Sequence, residues 1–172
     1  MTAAFPVGRA SVRWGGAQKR GPRPIRRRGP ERPLERWWAN VRRGRAQRTL
    51  AAATAVSALP LGIEIYFEHF RGSFGDKWMW TPVWLSPALT AAGVAGIRSG
   101  RAARTWLPAL SALYCLDGVI GVITHVRGVA RKPGGFSQPL FNIVMGPPLL
   151  APGSLALVGA MGLAAGALER ER

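Results

Sequence analysis

Residues 62–72 read GIEIYFEHFRG and residues 118–128 read GVIGVITHVRG. Each stretch has a glycine seven residues before a histidine and closes on His-x-Arg-Gly: His69-Phe-Arg71-Gly72 and His125-Val-Arg127-Gly128. His69 and His125 are the two histidines of the chain. Each copy ends an apolar segment of helical length. Each is followed by a proline pair, Pro82 with Pro87 and Pro147 with Pro152, that opens another apolar segment. Self-similarity at a fixed spacing sets architecture ahead of any local signal. It predicts an internal duplication, two tandem units of a helix, a polar turn and a returning helix.

The apolar segments are long enough to leave water altogether. A hydrocarbon core about 30 Å thick needs roughly 20 mostly apolar residues at a helical rise of 1.5 Å. Four segments approach this, about Thr49–Phe70, Trp80–Ile97, Trp106–Val126 and Pro147–Leu168. The fold class expected is therefore an all-α membrane protein of four transmembrane helices built as two tandem two-helix repeats. Repeat one covers about 49–99 and repeat two about 105–168. Pro82 and Pro147 suit the first helical position, where the missing amide hydrogen has no partner to lose, with Thr81 as an N-cap. Pro87 and Pro152 then fall a turn inside and bend both helices alike. Gly72 and Gly128 read as helix terminators. In the fourth segment Gly153, Gly159, Gly162 and Gly166 allow close helix contact, and Gly162 with Gly166 fits the small-xxx-small pattern.

Charge divides the chain differently. The sequence has 172 residues and a net charge of +16, yet residues 1–48 alone carry fourteen Lys or Arg against Glu31 and Glu35. Residues 1–33 combine arginine with proline and glycine, as in Pro24-Ile-Arg-Arg-Arg-Gly-Pro30. Such a stretch buries too little apolar surface to offset its ordering entropy and is expected to be disordered. Residues 34–48 read as an interfacial amphipathic segment with Trp37 and Trp38 at the membrane boundary, leaving 49–172 as the transmembrane domain. The expected ligand of the basic region is anionic lipid. Nucleic-acid binding is a poor fit, since no folded recognition module accompanies the arginines. No apolar leader core stands out before residue 49, so the first span is expected to direct insertion. Ten arginines, among them Arg36, Arg42, Arg98, Arg104 and Arg170, fall on one side of the spans. Arg71, Lys77, Arg127, Arg131 and Lys132 fall on the other. The positive-inside rule then puts both termini in the cytoplasm. The excess of arginine over lysine, with abundant Ala, Gly and Pro, is what a GC-rich bacterial genome encodes, so the membrane expected is the bacterial inner membrane. Cys115 stands alone, which rules out an intrachain disulfide.

Ionisable residues inside spans are costly and mark candidate sites. Glu64 and Glu68 lie one turn apart on a helical face beside His69. Asp117 lies deeper, eight residues before His125. If both histidines face the axis between the repeats, they meet at one depth, with Arg71 and Arg127 just outside. The leading expectation is a membrane subunit holding haem b or a transition-metal ion between His69 and His125. Glu64 and Glu68 are further ligands, Arg71 and Arg127 partners for propionates, and Asp117 and Asn142 supporting groups. Two other classes compete with it. One is a structural or partner-binding membrane module, including a homo-oligomer, without cofactor. The other is a small proton, ion or solute pathway. Neither a phosphate-binding glycine loop nor a nucleophile–base pair is present, which argues against soluble-type catalysis.

Overall fold

The computed structural model describes residues 33–170, and these are helical almost throughout, with no strand among them. The expected disordered tail therefore lies, apart from Pro33, outside the described residues. The helices are α1 (Pro33–Arg42), α2 (Arg45–Arg71), α3 (Thr81–Arg98), α4 (Gly100–Arg104), α5 (Trp106–Ala130), α6 (Pro139–Val144) and α7 (Leu150–Ala167). The basic segment is broken: α1 ends at Arg42, and Arg45 and Arg48 already belong to the first turn of α2.

The long helices form a ring. α2 packs on α3 and α7, and α5 packs on the same two helices, so α2 stands diagonal to α5 and α3 to α7. The closest partners are the members of each sequence hairpin, α2 with α3 and α5 with α7. At 1.5 Å per residue α2 is about 40 Å long and α5 about 37 Å, while α3 and α7 reach only about 27 Å. The core between them is built from Ala51, Ala58, Leu89, Leu107, Tyr114 and Leu155.

Glycines set how closely the hairpins close. A Cβ on Gly118 would stand 2.7 Å from the Pro152 carbonyl oxygen and 2.9 Å from Ala156 Cα, and closer still to the Ala156 amide. A Cβ on Gly62 would overlap the Ser86 side chain. The two glycines matched in sequence thus mark the crossing point of each hairpin. In α7, a Cβ on Gly159 would stand 2.6 Å from the Cys115 amide nitrogen and 2.7 Å from the Ser111 carbonyl oxygen, and one on Gly162 would overlap the Ser111 side chain and press on Thr54. The small-residue face of that helix is consequently spent inside the bundle.

Three described helical segments are long and apolar enough to cross a membrane: Arg45–Arg71, Gly100–Ala130 and Leu150–Ala167. The second expected span, now α3, is not among them. Its eighteen residues include Thr81, Pro82, Ser86, Pro87, Thr90 and Arg98, which dilute its mean hydropathy. Those hydroxyls point inward. Ser86 is buried and donates to the Pro82 carbonyl at 2.6 Å, and Thr90 donates to the Ser86 carbonyl at 2.9 Å. Mean hydropathy averages around a helix and is blind to which side carries the polar groups.

The proline motifs are not equivalent in space. Pro82 sits in the first turn of α3 and Pro87 in its interior, as expected. Pro147 instead precedes α7, and Pro152 is its third residue. Gly72 follows the last residue of α2, whereas Gly128 is inside α5, where a Cβ would press on Pro147 Cγ at 2.9 Å. Thr81 is the first residue of α3 rather than its N-cap.

Candidate functional site

The two histidines do the same thing in the two hairpins. His69 Nδ1 donates to the Met79 carbonyl and His125 Nδ1 to the Pro148 carbonyl, both at 2.8 Å. Each acceptor stands two residues before the first residue of the returning helix, α3 in one case and α7 in the other. A carbonyl oxygen only accepts, so the proton is on Nδ1, and the neutral ring keeps its lone pair on Nε2. Each bond therefore ties the end of an outgoing helix to the start of its partner and fixes the ring's tautomer. His69 lies within electrostatic reach of His125, Asp117 and Glu68.

The carboxylates divide. Glu68 pairs with Arg71 one turn on, while Glu64 and Arg127 are exposed. Among the described residues no three His, Cys, Asp or Glu side chains are grouped so as to hold a metal ion. An aromatic cluster surrounds His69 instead. Phe74 stacks on Trp80 with centroids 4.0 Å apart, meets the His69 ring edge-on at 6.0 Å, and lies 5.6 Å from Tyr66. Ser73 and Phe74 have φ of 57° and 44°. Left-handed backbone costs about 1–2 kcal/mol per residue for non-glycine types, and aromatic stacking of about 0.5–1.5 kcal/mol per pair helps offset it. Sequence reasoning passed over Phe74; its six-residue spacing from Trp80 across a short loop was the available signal.

Asp117 joins the two hairpins. Its Oδ1 stands 2.6 Å from Thr81 Oγ1, and the same hydroxyl is 2.8 Å from the Trp78 carbonyl. A hydroxyl carries one proton, so both contacts are full hydrogen bonds only when the Asp117 carboxyl brings a proton of its own. The partner is Thr81 because α3 is short and begins level with the middle of α5. One turn away, Tyr114 Oη meets Ser86 Oγ at 3.0 Å, a second polar link between α5 and α3 with both side chains buried.

Asn142 was expected to reach down to this cluster. It is buried, but its amide nitrogen donates to the Pro133 and Gly135 carbonyls at 3.0 and 2.7 Å. Both amide hydrogens are thereby used to knot the loop between α5 and α7. Lys132 Nζ adds a bond to the Met145 carbonyl at 2.9 Å. At the opposite end Arg170 donates to the Gly96 and Ile97 carbonyls at 2.8 and 2.7 Å, covering the last turn of α3. A cation there also opposes the helix dipole. What the arrangement does chemically is hold helix ends together, with two imidazole Nε2 atoms left over. Comparison with protein-family models, curated proteins and solved structures gives no match for this chain.

Proposed function

We propose that the protein is a four-span integral membrane protein of the bacterial inner membrane with both termini in the cytoplasm. It works as a non-catalytic membrane module, made of two tandem hairpins that hold a basic segment at the membrane surface. The observation that carries this is an inverted distribution of polarity. Large apolar side chains face outward on every long helix: Val56, Ile63 and Phe67 on α2, Trp84 on α3, Leu116, Ile120 and Ile123 on α5, and Leu157 on α7. The buried positions hold Thr54, Ser86, Ser111 and Tyr114 alongside small residues and the core leucines Leu89, Leu107 and Leu155. A water-soluble bundle carries polar side chains on its outside, and outward apolar belts of this extent need lipid or protein to cover them. α3 counts as a span on this reading because it packs between two long helices and its polar atoms are satisfied inside. Arginine placement supports the orientation.

Cysteine accessibility tests it directly. In a Cys115→Ala background, Ser73→Cys precedes α3 and Ser99→Cys follows it. A membrane-impermeant thiol reagent should label the first in intact cells and the second only after permeabilisation. Labelling of both from one side sinks the four-span reading, and the reverse pattern inverts the orientation.

A second reading is favoured by the histidine bonds. A metal-ligating imidazole characteristically gives its other ring N–H to a carbonyl or carboxylate, and both histidines are held that way. Their Nε2 atoms would supply the two axial ligands of a haem b, or part of the shell of a metal ion completed by other donors. An absorption spectrum of purified protein, oxidised and reduced, with elemental analysis, decides. A Soret band or stoichiometric metal lost in His69→Ala/His125→Ala supports ligation, and a colourless, metal-free protein removes it.

A further inference from the structure

We propose that α1 is a surface-docking helix whose ligand is the anionic headgroup layer of the bilayer holding the bundle. This rests on the membrane reading above. Leu34, Trp37, Trp38 and Val41 recur at the helical spacing i, i+3, i+4 and i+7, so they share an arc of about 100°. That face is open: Leu34 is 66% exposed, Trp37 46% and Trp38 50%. The two indoles meet edge to face with centroids 5.1 Å apart, which makes one broad amphipathic wedge. Tryptophan in such a position belongs at the boundary between headgroups and acyl chains.

The chain is shaped to lay this helix down. Gly44 adopts φ 70°, and the amides of Arg43 and Gly44 bond back to the Ala39 and Val41 carbonyls. A left-handed glycine after the last residue is the ordinary way to stop a helix. Here it separates α1 from α2 at the mouth of the first span, so α1 does not continue the axis of α2. Exposed Arg42 flanks the apolar arc, exposed Arg43 follows it, and Arg36 lies on the opposite side. A helix is about 10 Å across, close to the Debye length at physiological salt, so all three charges feel the surface potential. Apolar wedge, flanking arginines and immediate junction with a span together select lipid over a polyanion in solution, which would meet the arginines but leave the indoles uncovered.

The test uses full-length protein in lipid nanodiscs of phosphatidylcholine alone or doped with phosphatidylglycerol. An environment-sensitive fluorophore is placed at Leu34→Cys in the Cys115→Ala background. Docking predicts a blue-shifted emission in the doped discs that recedes with added salt. Replacing Arg42 and Arg43 by Gln should lower the docked-to-free ratio about fivefold per charge. Trp37→Ala/Trp38→Ala should abolish the shift in both lipids. Identical emission in the two lipids, or no effect of the arginine changes, overturns the proposal. So does a shift that appears only on adding duplex DNA, which would assign the face to nucleic acid. Protein that fails to enter the discs at all counts against the membrane reading and not against the docking of α1.

Discussion

Replacing Gly118 by alanine should destabilise the bundle, and replacing Gly153 should not. Both glycines are helical, in α5 and α7, and alanine improves helix propensity at either by about 0.8–1.0 kcal/mol. They differ in surroundings. A Cβ on Gly153 finds nothing within 4 Å. A Cβ on Gly118 stands 2.7 Å from the Pro152 oxygen and closer still to the Ala156 amide, where ordinary contact begins at 3.4 Å, so α5 and α7 must part by at least about 0.7 Å. The obstacle is backbone and cannot rotate away. Overpacking of this kind costs about 1–3 kcal/mol, and a gap of 0.5–1 Å forfeits roughly a quarter to a half of each dispersion contact across the seam. Net of propensity, Gly118→Ala is expected to lose up to about 2 kcal/mol, and Gly153→Ala to gain up to about 1 kcal/mol. Reversible unfolding of both variants and the parent in mixed micelles, followed by tryptophan fluorescence, measures the difference. If Gly118→Ala proves as stable as Gly153→Ala, the α5–α7 crossing described above is wrong.

The histidine ties make a further prediction. His69→Ala and His125→Ala should each cost about 0.5–1.5 kcal/mol for a lost hydrogen bond. Because the bonds close separate hairpins, the double variant should be additive within about 0.5 kcal/mol; a coupling well above that, read from the same unfolding curves, would mean that the two rings act as one unit. Hydrogen exchange should quicken in residues 72–80 for the first variant and in 131–149 for the second, without crossover. At Asp117, asparagine keeps a polar group opposite Thr81 and should be tolerated, whereas leucine removes the bond between the helices and leaves the Thr81 hydroxyl only the Trp78 carbonyl, at a cost of about 0.5–1.5 kcal/mol. Equal stability of the two variants would show that the Thr81 contact contributes nothing.

Much of the architecture is legible in one dimension. Hydropathy and helix length depend on composition along the chain, so α2, α5 and α7 could be placed within a few residues. The glycines seven residues before each histidine were legible as markers of the repeat, but that Gly62 and Gly118 stand at the hairpin crossings came only from the packed helices. The matched spacing of His69 and His125 was likewise visible, as was the place of His69 in the last turn of its helix, whereas α5 runs on for five residues past His125.

Other features depended on how the helices are set against one another. The sequence pairing of Pro82 with Pro147 misleads, because Pro82 lies in the first turn of α3 while α7 begins only at Leu150, three residues after Pro147. Asp117 meets Thr81 because a short α3 starts beside the middle of a long α5. No periodicity encodes that relation between two helices of unequal length. Asn142 turns on its own loop because two carbonyls there, at Pro133 and Gly135, lie within reach of its amide. Residue pattern determined which segments are helical and apolar. Tertiary packing decided which polar groups meet, because a hydrogen bond needs its atoms within about 3 Å, and depth and rotation at that precision are set only when the helices dock.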